Sequence, residues 1–215
     1  MSAPVFPQAG TVAVWKPVGM TSHDVVALVR RVTGVSRVGH GGTLDPLACG
    51  VLVVAIGREA TKGLDAAVKG EKEYAAEIRL GATSVSGDRE GPIAEVPGAA
   101  APARDAVAAA AEKFVGNIMQ VPPAYSALKL AGKPAYEYAR AGKEIAMKAR
   151  EVEIREIEIV SYAWPDLVLR VVTGPGVYIR SLARDIGAEL GTGGYLFGLA
   201  RTRVGNFRSE GAIRI

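Results

Sequence analysis

The chain has 215 residues, 49% of them hydrophobic, which is enough for one substantial core and short for two full domains. A net charge of +4 and a pI near 9.2 are compatible with a polyanionic partner but do not select one. The single cysteine, Cys49, excludes an intrachain disulfide framework. Without a leader-like start or an apolar run of membrane-spanning length, the chain is expected to be cytoplasmic.

The first predicted elements are a strand and a helix. Residues 11–15, TVAVW, predict a short strand. Ser22 is a suitable N-cap for the helix that follows, and this helix is predicted to end near Gly34. The apolar residues that share one face of the helix are Val25, Leu28, Val29 and Val32.

Two strands of different kinds come next. Residues 51–57, VLVVAIG, are a continuous apolar run, which is typical of a strand buried on both faces. Residues 74–80, YAAEIRL, alternate with the period of a half-buried strand. The residues of its predicted core face are Tyr74, Ala76, Ile78 and Leu80. An alanine-rich helix is then predicted to end at Gly116.

The last third of the chain predicts two more strands and a helix. Residues 150–160, REVEIREIEIV, alternate but change parity, so a β-bulge is predicted near Arg155 and Glu156. Residues 166–174 alternate again. The helix that follows has its apolar face on Ile179, Leu182, Ala183, Ile186 and Leu190, and ends at Gly191. Strands outnumber helices without regular alternation, which favours an α+β fold with a largely antiparallel sheet.

Several kinds of active site have little support in the sequence. Two histidines and one cysteine make a zinc site of the usual type improbable. No GxxxxGK[ST] segment is present, and no GxGxxG opens a helix. A Ser-His-Asp triad stays open because its members can converge from anywhere, although no serine lies in a nucleophile elbow.

The segment at 39–52, GHGGTLDPLACGVL, carries one carboxylate at the entrance to a buried strand. Asp45 can act as a nucleophile if a cation keeps it ionised, and Arg180 in GPGVYIRSLARDIG is the candidate cation. The alternative, a turn or helix-cap aspartate, is favoured by spacing alone. Cys49 lies in an apolar run and is better explained as a packed thiol than as a nucleophile.

Six segments in order, from residue 14 to about residue 205, resemble the tRNA pseudouridine synthase B family. They are VWKPVGMTSHDVV, GHGGTLDPLACGVL, GREATK, EYAAEIRLGATS, PPAYSALKLAGKPAYEYARAG and GPGVYIRSLARDIG. The resemblance implies a pseudouridine synthase fold over residues 1–215 and isomerisation of uridine 55 in the T-loop of tRNA. It also implies no cofactor, no metal, no membrane or protein partner, and a monomer.

The resemblance assigns the catalytic residues. Asp45 becomes the carboxylate that attacks the nucleoside, with the sugar carbon and the base both open as its target. Tyr74 stacks on the flipped base and assists proton transfer, and Arg180 pairs with Asp45. Tyr178 lies beside that arginine, and Leu199 lies against the base. Without the resemblance, Tyr74 and Leu199 are ordinary core residues.

The resemblance also assigns contacts with the RNA. His40 enters the space that the base vacates, with a histidine bonded to backbone as the alternative. Lys16 and Lys62 meet phosphates, although surface lysines are usually only solvated. An insertion at about 121–149 closes over the T-loop, with an ordinary surface hairpin as the alternative. Its aromatic and cationic residues are Tyr125, Tyr136, Tyr138, Lys129, Lys133, Arg140, Lys143 and Lys148.

Two departures from the family pattern matter. The chain stops at GAIRI, so the C-terminal RNA-binding module of the PUA type is expected to be absent, and tRNA affinity to be weaker and more sensitive to salt. The family usually has an acid near the position of Val85, whereas here Asp88 is the nearest acid. Two other functions stay open: a pseudouridine synthase for another RNA, and a non-catalytic protein that binds or folds RNA.

Overall fold

The structure, a computed structural model, describes residues 4–126, 128–130, 132–141 and 146–215. The strands are β1 Gly10–Lys16, β2 Val38–Gly41, β3 Cys49–Ile56, β4 Lys72–Leu80, β5 Ala82–Ser84, β6 Ile93–Glu95, β7 Gly116–Gln120, β8 Lys129–Leu130, β9 Lys133–Pro134, β10 Arg150–Ala163, β11 Asp166–Thr173, β12 Gly194–Val204, β13 Phe207–Arg208 and β14 Ile213–Arg214. The helices are α1 Ser22–Thr33, α2 Arg58–Lys62, α3 Leu64–Val68, α4 Arg104–Glu112, α5 Ala135–Arg140 and α6 Ile179–Glu189, with a 3-10 turn at Ser209–Gly211.

The fold is α+β with a large, mostly antiparallel sheet, as the sequence predicts. The chain divides into two compact units. The first unit contains the chain up to Ala75, residues 170–175 and residues 198–215, and the second contains residues 76–169 and 176–197. No helix in the described ranges is long and apolar enough to cross a membrane.

The first unit is organised around β3. This strand pairs antiparallel with β1 and β2, and parallel with β12 at Ala200 and Arg201. Residues 51–56 are fully buried, as the apolar run predicts. The reason is that alternate side chains enter two different clusters. Leu52, Val54 and Ile56 pack with α1, whereas Val51 and Val53 pack with Val204.

Helix α1 begins one residue earlier than its predicted cap implies. Thr21, not Ser22, is the N-cap: its hydroxyl accepts from the Asp24 amide at 3.1 Å, and the Asp24 carboxylate accepts from the Thr21 amide at 2.8 Å. Gly34 ends the helix as predicted, with φ at +70° and its amide bonded to the Arg30 carbonyl.

The predicted apolar face of α1 is partly wrong. Val25 and Val29 are buried, but Val32 is 44% exposed and Val26 is buried instead. The buried face of α1 therefore includes Val25, Val26 and Val29, and Val32 in the last turn lies outside it.

The second unit confirms most of the later predictions. Burial in β10 changes parity at Arg155 and Glu156, which are both exposed, as the predicted bulge requires. Helix α4 ends at Glu112, short of the predicted Gly116, because Gly116 is the first residue of β7. The pairings confined to this unit are β7 with β10, β5 with β6 and β8 with β9, all antiparallel.

Candidate active site

Asp45 lies in a turn between β2 and β3. Its carbonyl accepts a hydrogen bond from the Ala48 amide at 3.0 Å, and Pro46 occupies the second turn position, where proline is favoured. The neighbours Leu44 and Leu47 are buried, whereas Asp45 is half-buried. The turn therefore anchors its apolar side chains in the core and leaves Asp45 half-buried beside them.

Two neighbouring segments hold this turn. The Ser22 hydroxyl accepts from the Leu44 amide at 2.9 Å and donates to the Leu44 carbonyl at 3.2 Å. The Gly19 amide donates to the Pro46 carbonyl at 2.8 Å. Ser22 was predicted as a helix cap, and the structure uses it as a buried cross-link between α1 and the loop that carries Asp45.

Lys16 is placed differently from the prediction of a phosphate contact. The residue is 0% exposed, and its ammonium donates to the carbonyls of Pro17 and Met20 at 3.0 and 2.7 Å. These bonds order residues 17–20, the segment whose Gly19 binds Pro46. The geometry supports an internal role for Lys16, because an ammonium buried in this way does not present its charge to a phosphate.

His40 lies on β2, where it pairs with Val54. Its ring meets the edge of the His23 ring, with 5.4 Å between centroids and 82° between planes. Its buried Nδ1 has no hydrogen-bond partner among the described residues, so the bonding to backbone considered from the sequence is not seen at this atom. Burial lowers the pKa of His40, as do the charges of His23 and Arg201, so the neutral ring is favoured.

Tyr74 and Leu199 occupy different kinds of position in the first unit. Tyr74 is buried on β4, on the face predicted from the alternation. Leu199 is half-buried on β12, next to the Ala200 that pairs with Cys49. Contact of either side chain with a nucleobase stays a prediction.

Lys62 is exposed in the last turn of α2. It forms an ion pair with Glu59 at 2.8 Å, in which the two side chains are 58% and 82% exposed. An exposed pair of this kind contributes little stability, so the ammonium can exchange its carboxylate partner for a phosphate at small cost.

Two buried cations of the first unit were not predicted. Arg201 donates to the carbonyls of Val51 and Gly42, both at 2.8 Å. Lys72 donates to the Gly70 carbonyl at 3.1 Å. Burial, and repulsion by Arg201, lower the pKa of Lys72 to about 8.

In the second unit, Arg180 is the second residue of α6, and its side chain is 5% exposed. One Nη donates to the Ser86 carbonyl at 3.1 Å and the other to the Tyr125 carbonyl at 2.8 Å. The Asp88 carboxylate, also 5% exposed, lies 3.5 Å from Arg180 Nη1. The guanidinium is therefore held in a fixed orientation within its own unit.

Asp88 is the acid that stands nearest to Val85 in the sequence. Val85 itself is 67% exposed, whereas Asp88 turns inward. The Asp88 carboxylate accepts from the Ser86 hydroxyl at 2.6 Å and from the Glu90 amide at 3.0 Å. These bonds fix the carboxylate that faces Arg180. Asp88 is therefore a buried counter-ion of Arg180.

Tyr178 precedes the first turn of α6. The buried side chain of Gln120 accepts from the Tyr178 amide at 2.8 Å and donates to the Tyr178 carbonyl at 3.2 Å. The Arg150 guanidinium lies 5.2 Å from the centroid of the tyrosine ring. Tyr178 and Arg180 are therefore presented from one pinned helix start. Asp45 belongs to the first unit, and its pairing with Arg180 stays a prediction.

The insertion predicted at about 121–149 lies partly outside the described residues, and Lys143 is among those not described. The described part contains the β8–β9 pair followed by α5. The Tyr136 amide donates to the Ser126 carbonyl at 3.0 Å, and 36% of the Tyr136 surface is exposed. No group of three or more metal-binding side chains occurs in the described part of the chain.

Comparison with known proteins identifies the family. The family model described as TruB family pseudouridylate synthase, N-terminal domain, matches residues 30–179 of this chain. The chain belongs to this family. Its relatives include tRNA pseudouridine synthase B of Thermobifida fusca, 48% identical over 211 residues that cover 94% of this chain and 72% of the relative. The enzyme of the same name from Burkholderia pseudomallei is 45% identical over 206 residues, which cover 96% and 68% of the two chains.

Solved structures confirm the pseudouridine synthase fold for this TruB-family chain. The crystal structure of a Cbf5-Nop10-Gar1 complex matches with a TM-score of 0.74 and 33% identity, covering 97% of this chain and 53% of the other. An H/ACA RNP bound to a substrate RNA containing 2′-deoxyuridine matches with a TM-score of 0.70 and 31% identity, covering 96% and 51%.

Proposed function

We propose that this TruB-family chain converts uridine 55 in the T-loop of tRNA to pseudouridine, with Asp45 as the nucleophile. The observation that carries the proposal is the placement of Asp45. It is a half-buried carboxylate at the first position of a turn whose neighbouring leucines are buried, in a chain 48% identical to a tRNA pseudouridine synthase B.

The reaction needs a nucleophile and a cation, and it is balanced without any redox step. Attack by Asp45 accompanies cleavage of the bond between uracil N1 and ribose C1′. The base rotates and C5 forms the new bond to C1′. The bond that Asp45 formed with the nucleoside breaks and frees the carboxylate, the hydrogen at C5 leaves as a proton, and N1 gains a proton. Arg180 supplies the cation, because a guanidinium stays charged when buried. Its bonds to Ser86 and Tyr125 fix its orientation before substrate arrives.

The target base must leave its stack before attack. Extrusion costs a few kcal/mol, and contact with an aromatic or apolar side chain returns roughly 1 to 3 kcal/mol per base. Tyr74 and Leu199 are proposed to make this contact. His40 is proposed to occupy the vacated space, and its lowered pKa suits that role because a neutral ring enters a base stack without the cost of desolvating a charge.

Phosphate contacts are proposed for Lys62 and for the cationic residues of the insertion. Lys62 is exposed, and its ion-pair partner Glu59 is exposed as well. Its transfer to a phosphate releases counterions from the RNA, so affinity falls as salt rises. We propose a cytoplasmic location, which a tRNA substrate supports.

Release of tritium from tRNA labelled at uracil C5 tests the proposal. Wild type is expected to release the label, Asp45→Asn to release none, and Asp65→Asn, an exposed aspartate on α3, to match wild type. A transcript with cytidine in place of uridine 55 is expected to lose the signal. Tritium release by Asp45→Asn would contradict the role of Asp45 as the nucleophile. Unchanged release from the cytidine transcript would contradict uridine 55 as the target.

A second candidate, isomerisation of uridine in another RNA, is favoured by one observation. The H/ACA RNP structure that this chain resembles is bound to a substrate RNA. If labelled transcripts other than tRNA release tritium while tRNA does not, this second candidate replaces the first.

A further inference from the structure

Arg201 binds main-chain groups on both sides of Asp45, which lies in the loop of residues 42–48. Its Nη2 donates to the Gly42 carbonyl and its Nε to the Val51 carbonyl, each at 2.8 Å. Gly42 is the first residue after β2 and Val51 is the third residue of β3, so one guanidinium joins the start of the loop to the strand that follows it. Arginine is suited to this task, because its planar fork presents several donors in fixed directions and stays charged when buried.

The backbone of Arg201 also contacts the loop. Gly50 pairs with Arg201 where β3 and β12 run parallel. Gly50 has φ at +116°, and a Cβ built on it would lie 2.3 Å from the Arg201 carbonyl oxygen. Only glycine permits this approach. The main chain of Arg201 contacts Gly50 and its side chain contacts Val51, so both fix the start of β3, where the loop ends.

Other cations near the loop do not share this arrangement. Arg203, two residues further along β12, pairs with the carboxylates of Glu71 and Glu73. Arg201 is 2% exposed and forms no ion pair with a carboxylate in the described part of the chain. Burial of a charge without a carboxylate is costly, and the hydrogen bonds to the carbonyls of Gly42 and Val51 offset part of that cost. Lys72, also buried beside Gly42, adds to this cost.

We propose that Arg201 is the positioning residue for Asp45: by binding the carbonyls of Gly42 and Val51 it holds the loop closed and keeps the Asp45 carboxylate in the place from which it attacks. The catalytic part of this inference rests on the proposed function, whereas the fixing of the loop does not.

Hydrogen exchange tests the fixing of the loop without any substrate. Arg201→Lys keeps the charge but cannot reach both carbonyls. The amides of Leu44 and Ala48, which are bonded within or beside the loop, are expected to exchange at least about tenfold faster in this variant. The β3 amides of residues 53–55 are expected to keep their rates. Unchanged rates in the loop, or an equal increase throughout β3, overturn the inference.

The catalytic part is tested by separating kcat from KM. Arg201→Lys is expected to lower kcat for tritium release at least about tenfold while KM for tRNA stays within about threefold. Arg203→Lys is the matched control, since it changes the same strand without touching the loop, and it is expected to leave both constants unchanged. An unchanged kcat, or a raised KM with unchanged kcat, overturns the positioning role.

If Arg201→Lys does not fold, exchange in the wild-type chain still tests whether the loop is fixed. A loop held at both ends opens only when the sheet opens, so Leu44 and Ala48 are expected to exchange with the same urea dependence as the amides of β3. Exchange of these two amides through small openings with little urea dependence overturns the inference. An inactive wild-type chain refutes the proposed function and leaves this exchange result standing.

Discussion

The buried pair of Arg180 and Asp88 yields a quantitative prediction. Asp88→Asn is nearly isosteric and keeps an oxygen that can accept from the Ser86 hydroxyl and the Glu90 amide. The variant loses the negative charge 3.5 Å from Arg180, where both side chains are 5% exposed. Removal of one partner of a buried pair costs about 3 to 5 kcal/mol.

The expected loss lies near the lower end of that range. Arg180 keeps its bonds to the carbonyls of Ser86 and Tyr125, which continue to solvate part of its charge. For a chain of this length each kcal/mol lowers Tm by about 2 to 4 °C, so a loss of about 3 kcal/mol corresponds to roughly 6 to 12 °C. Differential scanning calorimetry with urea unfolding measures both quantities.

An exposed pair in the same unit supplies the control. Arg79 and Asp166 lie closer, at 2.9 Å, but their side chains are 37% and 56% exposed. Asp166→Asn is therefore expected to cost at most about 1 kcal/mol. Equal losses in the two variants would refute the reasoning, because burial and not distance is expected to set the cost.

Three further predictions concern the first unit. Gly50→Ala is expected to lower the free energy of unfolding, measured with urea, by at least about 3 kcal/mol, because its Cβ meets a backbone oxygen at 2.3 Å. Gly34→Ala has the same kind of positive φ, +70°, but its Cβ meets no neighbouring atom, so the expected loss is about 1 kcal/mol. The pKa of Lys72 is near 8 in the folded protein and lies below the pKa of the same lysine in the unfolded chain. Between about pH 8 and 10 the unfolded chain therefore binds more protons, and the free energy of unfolding is expected to rise with pH. This rise is expected to be smaller in Lys72→Met. In filter binding, Lys62→Gln is expected to reduce the salt slope for tRNA by about 1, and Lys16→Gln to leave it unchanged; an equal change in both contradicts their different burial.

The sequence predicts elements whose environment is uniform along their length. The run at 51–56 is apolar at every position because both of its faces are buried. A continuous apolar run of strand length is then sufficient to predict the strand. The strand at 72–80 is equally clear, since one face meets the core and the other meets solvent. The order of strands within a sheet depends on long-range pairing and does not appear in local periodicity.

Prediction from the sequence fails where a polar or charged side chain is buried and binds groups from distant parts of the chain. Ser22 and Thr21 are both good caps, and only the buried contact of Ser22 with Leu44 decides between them. Lys16 and Arg201 look like surface cations because the carbonyls that bind them come from other parts of the fold. Of the proposed site, the residue types are readable from the sequence, whereas the groups that orient them are not.

The role of Asp45 as the nucleophile is tested by the rate of pseudouridine formation under single-turnover conditions. Asp45→Asn is compared with Asp65→Asn at saturating enzyme, so that binding does not limit the rate. The rate is expected to fall at least about a thousandfold for Asp45→Asn, with tRNA affinity unchanged, and not to fall for Asp65→Asn. A rate for Asp45→Asn within about tenfold of wild type would contradict the claim that this carboxylate is the nucleophile.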